Sequence, residues 1–379
     1  MEPLRILQVC KSLKFGGGIE SWIMNLFRFN DTRCMQMDFC HIGEDPGEMS
    51  EELRDYGAEI FKCKLGFNYF SFPAKFASKI IDKSYNAVHV HCNDFSGPVI
   101  HGAKLSQIPV RVVHYHSTSP GHKNDLKRRI YVKPMQRWIK NEATNILACS
   151  SMTQKIMCPE LYNRGDKRLE TLYCGIDLDK FYYRYNKVDV RKEIGIPPDS
   201  VVIGHVGRFI KAKNHEAFLR IAGKISLNFP HAVFLLVGDG PLKKEIQKIP
   251  LEMGLSDRFF FLGHQNDIPR ILAAMDLFLF PSLWEGFGIV ITEAIAAGLP
   301  VVASDKVPAV SEMGINLLKE LAFPLDDENI AIKNINRVLK NPIEITEKFR
   351  QHSEGLKHFD IMDNLRRLEG LYIKYESFG

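Results

Sequence analysis

Residues Pro281–Pro300 read PSLWEGFGIVITEAIAAGLP, directly after an apolar run, MDLFLF (Met275–Phe280), with the length of a buried parallel strand. Gly286 and Gly288 let the backbone turn tightly and approach a ligand without Cβ clashes. A helix is expected from about Gly288. It should stop where Gly298 suits the position just past a helix end and where Pro300 cannot continue it. A strand, a glycine loop and a helix in this order aim unpaired N–H groups and the positive end of the helix dipole at one point, which suits a phosphate.

Two carboxylates flank that point. Glu285 lies in the loop and Glu293 about one and a half turns into the helix, which separates them by at most ~12 Å. That is the length of a ribose–diphosphate–hexose fragment. Glu293 is surrounded by Ile289, Val290, Ile291, Ala294, Ile295 and Ala296, and an ionised carboxylate there is costly without hydrogen-bond donors. A neighbouring Lys or Arg would supply them. Sugar hydroxyls would also supply them.

The 379 residues suffice for two ordinary domains, and with 45% apolar and 25% charged residues each can bury a core. The formal charge of +5 is mild and points to no nucleic-acid partner. No apolar run reaches the length of a membrane span, and the opening MEPLRILQVC reads as a first strand rather than a signal peptide. The eight cysteines (10, 34, 40, 63, 92, 149, 158 and 174) show no zinc spacing, so they read as reduced packing thiols of a cytoplasmic protein.

From the start, strand and helix patterns alternate. LRILQVC is followed by Gly16, Gly17 and Gly18 and by a helix with Ile19, Trp22, Ile23 and Leu26 on one face. The glycine cluster suits a diphosphate or a plain turn, and it is not the G-x-G-x-x-G of dinucleotide binding. Further βα units follow, so the fold class is α/β with mostly parallel, doubly covered sheets whose ligands bind beyond the carboxyl ends of strands. His91 and His116 fall at such ends. The pairs His89/His91 and His114/His116 share strand faces, but neither has a closely spaced carboxylate or thiolate set to complete a metal site. Residues 122–140 are basic, with Lys123, Lys127, Arg128, Arg129, Lys133, Arg137 and Lys140 interleaved with Ile130, Val132, Met135, Trp138 and Ile139. They read as a solvated helix packed by its apolar side, or as an amphipathic surface for anionic headgroups. Asp177 and Asp179 form a D-x-D that we take as coincidental.

Polar residues ending in Pro197-Pro198 suggest a linker at 183–198. The alternation then resumes. VVIGHVGRF ends in Gly207 and Arg208, and Lys213 lies five residues beyond Arg208, so the two cations can meet a diphosphate from opposite sides. Asn214 is a candidate cap for the next helix. Asp239 ends one strand in a glycine turn, with Pro241 placed to open a helix, and Gly263 and His264 end another.

The E-x7-E spacing in EGFGIVITE resembles the donor-binding motif of the retaining glycosyltransferases of family 4, which have the two-domain GT-B fold. VVHYHSTS, IGHVGRFIKAKNHEAF, FLLVGDGPLKKEI and MDLFLFPSLWEGFGIVITEAIAAGLPVVASD extend the resemblance over nearly the whole chain, toward enzymes of bacterial exopolysaccharide, capsule and O-antigen assembly. The resemblance implies two Rossmann-like domains, residues 1–182 on the acceptor side and 199–356 for a nucleotide-sugar. A helix within 357–379 would cross back to the first domain. It assigns the donor to Gly17, Gly18, Gly207, Arg208, Lys213, Asp239, Gly263, His264, Glu285, Gly286, Phe287, Gly288, Ile289, Val290 and Glu293. Backbone near Gly263 would hold the base, Glu293 the ribose, Arg208 and Lys213 the diphosphate, and Glu285 the transferred sugar. His116 would lie near the anomeric centre. His91, Lys127 and Arg128 would line the acceptor side. The expected reaction is metal- and cofactor-independent transfer, with retention, from a UDP-sugar or a GDP-sugar to a glycan or lipid-linked glycan, at the inner face of the cytoplasmic membrane. A UDP-sugar 2-epimerase and an inactive sugar-nucleotide-binding partner are the alternatives on this fold.

Overall fold

The computed structural model describes all residues except 1, 15, 65, 67, 68, 120–125, 183, 184, 354 and 374–379, and no side chain is described for 126–131 and 182. Two units form, one of Met1–Gly175 with Ile361–Gly379 and one of Ile176–Asp360.

In the first unit seven strands make a wholly parallel sheet: β1 (Leu4–Cys10), β2 (Met35–His41), β3 (Ile60–Lys62), β4 (Ala87–Val90), β5 (Val110–Tyr115), β6 (Asn145–Ala148) and β7 (Leu169–Thr171). Their order, β3-β2-β1-β4-β5-β6-β7, reverses between β1 and β4, which is the switch point where doubly wound sheets bind ligands. The central strands are buried on both faces because helices cover both. The first helix (Gly18–Phe29) buries Trp22, Ile23, Leu26 and Phe27. The C-terminal helix (Ile361–Ile373) packs on that helix, as the return-helix expectation requires. One side-chain oxygen joins them: Asn364 Oδ1 accepts from Trp22 Nε1 and from the Gly175 amide, both at 2.7 Å.

In the second unit the strands are β8 (Val201–Val206), β9 (Ala232–Val237), β10 (Phe259–Gly263), β11 (Leu277–Phe280) and β12 (Val301–Ala303), again all parallel, in the order β10-β9-β8-β11-β12. Its switch point lies between β8 and β11. These two doubly wound Rossmann-like units and the returning helix are the GT-B fold.

Several local expectations change. The expected linker at 183–198 contains a helix, Lys187–Glu193, held into the second unit by Arg191. That buried guanidinium donates to the carbonyls of Ala274, Pro198 and Ser200 and to the Asp276 carboxylate, so the polar sequence hides an anchored element. The helix expected of GEMSEELRDYG, in one of the further βα units, is a 3-10 helix over Glu48–Tyr56, with Met49 and Leu53 as its buried apolar anchors. In the basic helix (Leu126–Glu142), Val132, Met135 and Ile139 are buried in the first unit while Lys133 and Arg137 are exposed. These three apolar residues thus serve packing. The side chains of Lys127 and Arg128 lie outside the described set, as do residue 123 and the side chain of Arg129.

Candidate active site

In the second unit the loops that follow β8 and β11 are stitched together beyond the strand ends. The Leu283 amide donates to the Ala212 carbonyl (2.8 Å), and the Asn214 side-chain amide donates to the Pro281 carbonyl (3.1 Å). Asn214 precedes the helix His215–Asn228 in the left-handed region (φ 52°) without capping it through its side chain, so its expected role is replaced by this cross-loop bond. Pro241 likewise sits ahead of the short helix Lys243–Ile246 rather than within its first turn.

Across this junction Lys213 Nζ donates to Glu285 Oε1 at 2.7 Å and lies 4.8 Å above the Phe280 ring. Both members of the pair are mostly buried, which excludes water and strengthens the attraction. Lys213 has three donors, so the carboxylate leaves it capacity for a second anion. Arg208, at the end of β8, is exposed. Gly207 and Gly238 approach so closely that a Cβ on Gly238 would lie 2.2 Å from the Gly207 carbonyl oxygen, which explains the glycine at that strand end. Asp239 next to it is exposed and bonded to Lys243 (3.1 Å), which lowers its pKa. Gly263 adopts a left-handed φ of 70° at the end of β10, and His264 is exposed.

The central helix runs Ile289–Ala296, as its sequence predicts. Gly288 precedes it with φ 105°, and no side chain caps it. Its first amides, at Ile289 and Val290, belong to the group a helix leaves unpaired. Gly286 and Phe287 are buried beneath the loop, with the Phe287 carbonyl accepting from the Ala309 amide (3.0 Å). Glu293 projects from the next turn, partly buried. Its carboxyl makes no hydrogen bond or close ion pair among the described residues, and its solvent exposure is partial. Burial raises its pKa to about 7 against the weaker opposing fields of Lys180 and Lys213. Among the described residues no Lys or Arg forms a salt bridge with Glu293. Lys180 itself pairs with Asp177 at 3.4 Å, which engages one carboxylate of the D-x-D.

In the first unit Gly17 and Gly18 open the first helix at the end of β1. The Glu20 carboxylate folds back over Gly17, so a first-turn acid occupies the space beside this helix N-terminus. His91 and His116 meet beyond β4 and β5, with His91 Nδ1 and His116 Nε2 at 2.9 Å. They join His89, His114 and Trp22 in one buried aromatic cluster, with Trp22 5.2–6.4 Å from each imidazole centroid. Two overlapping triads, His89/His91/His114 and His114/His116/Cys174, bring possible ligand atoms within 4.8 Å of one another. A thiol therefore does accompany the H-x-H pairs, brought from Cys174 by the fold rather than by spacing. Sequence reasoning also missed Gln8, Tyr372 and Asn364, each a buried polar residue on an apolar strand or helix face.

Two family models match the chain, "Glycosyl transferases group 1" at residues 186–355 and "Glycosyltransferase Family 4" at 16–180. The putative glycosyltransferase EpsF of Bacillus subtilis is 32% identical over 84% of this chain and 84% of its own. The chain belongs to the family 4 glycosyltransferases. This glycosyltransferase is also 30% identical to the UDP-Gal:alpha-D-GlcNAc-diphosphoundecaprenol alpha-1,3-galactosyltransferase of Escherichia coli, over 78% of this chain and 77% of that enzyme. Its relatives thus include enzymes of bacterial polysaccharide biosynthesis. Among solved structures, Anabaena Alr3699/HepE in complex with UDP-glucose superposes with a TM-score of 0.79 at 20% identity, over 99% of this chain and 100% of that one. Sucrose-phosphate synthase from Thermosynechococcus elongatus gives 0.75 at 22% identity, over 99% and 100%. At these identities the structures speak to the fold. No described helix is long and apolar enough to cross a membrane.

Proposed function

We propose that this glycosyltransferase moves a hexose-type sugar, with retention, from a UDP-sugar to a glycan or lipid-linked glycan, with a GDP-sugar as the alternative donor. The observation that carries the donor site is Glu293, a partly buried carboxylate with no ion-pair partner among the described residues, one turn beyond an uncapped helix start and within the field of Lys213. A vicinal diol supplies two hydroxyl donors and no charge, which is what this carboxylate lacks. The E. coli relative takes UDP-galactose by its name, and the HepE structures contain UDP and UDP-glucose, which favours uridine here.

In this reading Glu293 holds the ribose. Arg208, the remaining donors of Lys213 and the Ile289 and Val290 amides hold the diphosphate and stabilise the charge that develops as it leaves. These cations supply what a divalent ion would supply, so metal is not required. Glu285 binds hydroxyls of the transferred sugar, and backbone around Gly263 and His264 holds the base. His116 in the first unit is assigned to the transferred sugar near its anomeric carbon. In this reading no described side chain serves as a covalent nucleophile, and the route is front-face through an oxocarbenium-like state. His91 and the basic helix belong to the acceptor side, and exposed Lys133 and Arg137 favour contact with an anionic membrane surface.

Calorimetry with UDP, beside steady-state kinetics, tests the donor assignment. Glu293→Ala should weaken UDP binding and raise donor KM by more than about tenfold, the weight of one charged hydrogen-bonding partner. Glu285→Ala should lower kcat by a similar factor and leave UDP binding undiminished, since UDP lacks the sugar and Lys213 is released to the phosphates. The reversed pattern would place the donor on this helix the other way round.

A further inference from the structure

The buried cluster of the first unit contains a directed chain of hydrogen bonds, and one atom orders it. Gln8 Oε1 can only accept, so its 2.9 Å contact requires a proton on His91 Nε2. Burial holds the imidazoles well below their usual pKa, His116 at about 3, so each carries a single N–H. His91 Nδ1 is then a bare acceptor, and the 2.9 Å contact puts the proton of His116 on Nε2. His116 Nδ1 is left bare, 3.5 Å from Cys174 Sγ, whose thiol burial keeps protonated and able to donate. Every proton points the same way, from Cys174 through His116 and His91 to Gln8.

Gln8 is itself held. Its amide nitrogen donates to Met37 Sδ at 3.7 Å. The same amide meets the Tyr372 hydroxyl of the C-terminal helix, where burial raises the phenol pKa and Gln8 opposes the rise. With its oxygen end on His91 and its nitrogen end on Met37, Gln8 keeps an N–H to donate toward Tyr372. The tyrosine hydroxyl then donates onward to His89 Nδ1 at 2.7 Å. Reversal of the Gln8 amide would move the proton of every imidazole in the chain to its other nitrogen. Tyr372 and Met37 oppose that reversal.

We propose that Gln8, oriented by Tyr372, is a positioning residue that acts through His91 to fix the proton of His116 on Nε2. The inference rests on the assignment of His116 to the transferred sugar. A ring with both nitrogens engaged cannot swing or change tautomer without breaking two bonds, so it presents one fixed dipole to a carbon that gains positive charge during transfer. A metal ion is the other use such a cluster suggests. It would bring positive charge into a largely buried layer whose one thiol among the described triads, Cys174, is held protonated, and it would sever the His91–His116 bond.

The test compares full-length wild type, Gln8→Leu, Tyr372→Phe and His116→Ala. Long-range proton–nitrogen NMR of the histidine side chains reads the tautomers directly. Wild type should show His91 and His116 protonated on Nε2, and both positioning variants should show mixed tautomers at His116. Their kcat should fall, by about tenfold for Gln8→Leu and by less for Tyr372→Phe, with UDP affinity and donor KM unchanged. If Gln8→Leu does not fold, Tyr372→Phe, which removes a single oxygen, carries the test alone. Wild-type kcat and tautomers in the positioning variants, together with a damaged His116→Ala, would overturn this proposal and leave the role of His116 standing. Wild-type kcat in His116→Ala would overturn that role and the proposal with it. Stoichiometric zinc shifting the imidazole resonances would replace the proposal with a metal site.

Discussion

Glu293 is costly to the empty protein and useful to the loaded one, and the two sides separate by pH. Its folded value of about 7 lies above the ordinary 4.5, so between those values the folded chain keeps a proton that the unfolded chain has released. The stability this confers is complete below the lower value and is lost as pH rises through the upper one, a difference on the order of 3 kcal/mol. Glu293→Gln mimics the protonated form at every pH. Thermal melts of the ligand-free variant should therefore exceed wild type near pH 8 by the equivalent of roughly 2–3 kcal/mol, and the gap should close by about pH 5. A gap that does not change with pH would show that Glu293 has a counter-charge after all. Sequence exposed this residue as an acid on an apolar helix. The Lys213–Glu285 pair was not legible, because it joins two loops 72 residues apart.

At the scale of elements, features with local causes were readable and those with distant causes were not. Ser150 caps its helix through the Thr153 amide, and Gly288 and Gly298 bracket the central helix with positive φ, each as local chemistry predicts. The anchored helix Lys187–Glu193 escaped notice because the group that holds it, Asp276, lies 85 residues beyond Arg191. The histidine chain escaped for the same reason, since Gln8, Cys174 and Tyr372 come from three remote elements. The basic helix shows the converse limit: its sequence is amphipathic, and only the structure shows that Val132, Met135 and Ile139 face the core. Binding of this helix to a membrane would then be electrostatic and without insertion, at about 1 kcal/mol per cation near an anionic surface. Co-sedimentation with anionic liposomes should fall as salt rises and fall further in Lys133→Glu/Arg137→Glu. Equal sedimentation with neutral vesicles would contradict a charge-driven surface.

For the whole molecule, each unit is a doubly wound sheet, and several of the expected site residues follow the strands that flank its switch point. Gly17 and His91 follow β1 and β4, and Arg208 and Glu285 follow β8 and β11. The alternation of strands and helices was enough to place both sheets, because each βα unit is local. The most direct measurement of the account is real-time proton NMR of the reaction with an α-linked UDP-sugar and a lipid-linked glycan acceptor, in the presence of EDTA. The account predicts that the first product formed carries the sugar in the α configuration, at a rate that added magnesium or manganese does not raise. A β-configured first product, an epimerised nucleotide-sugar with the acceptor untouched, or turnover that returns only with the metal would contradict it.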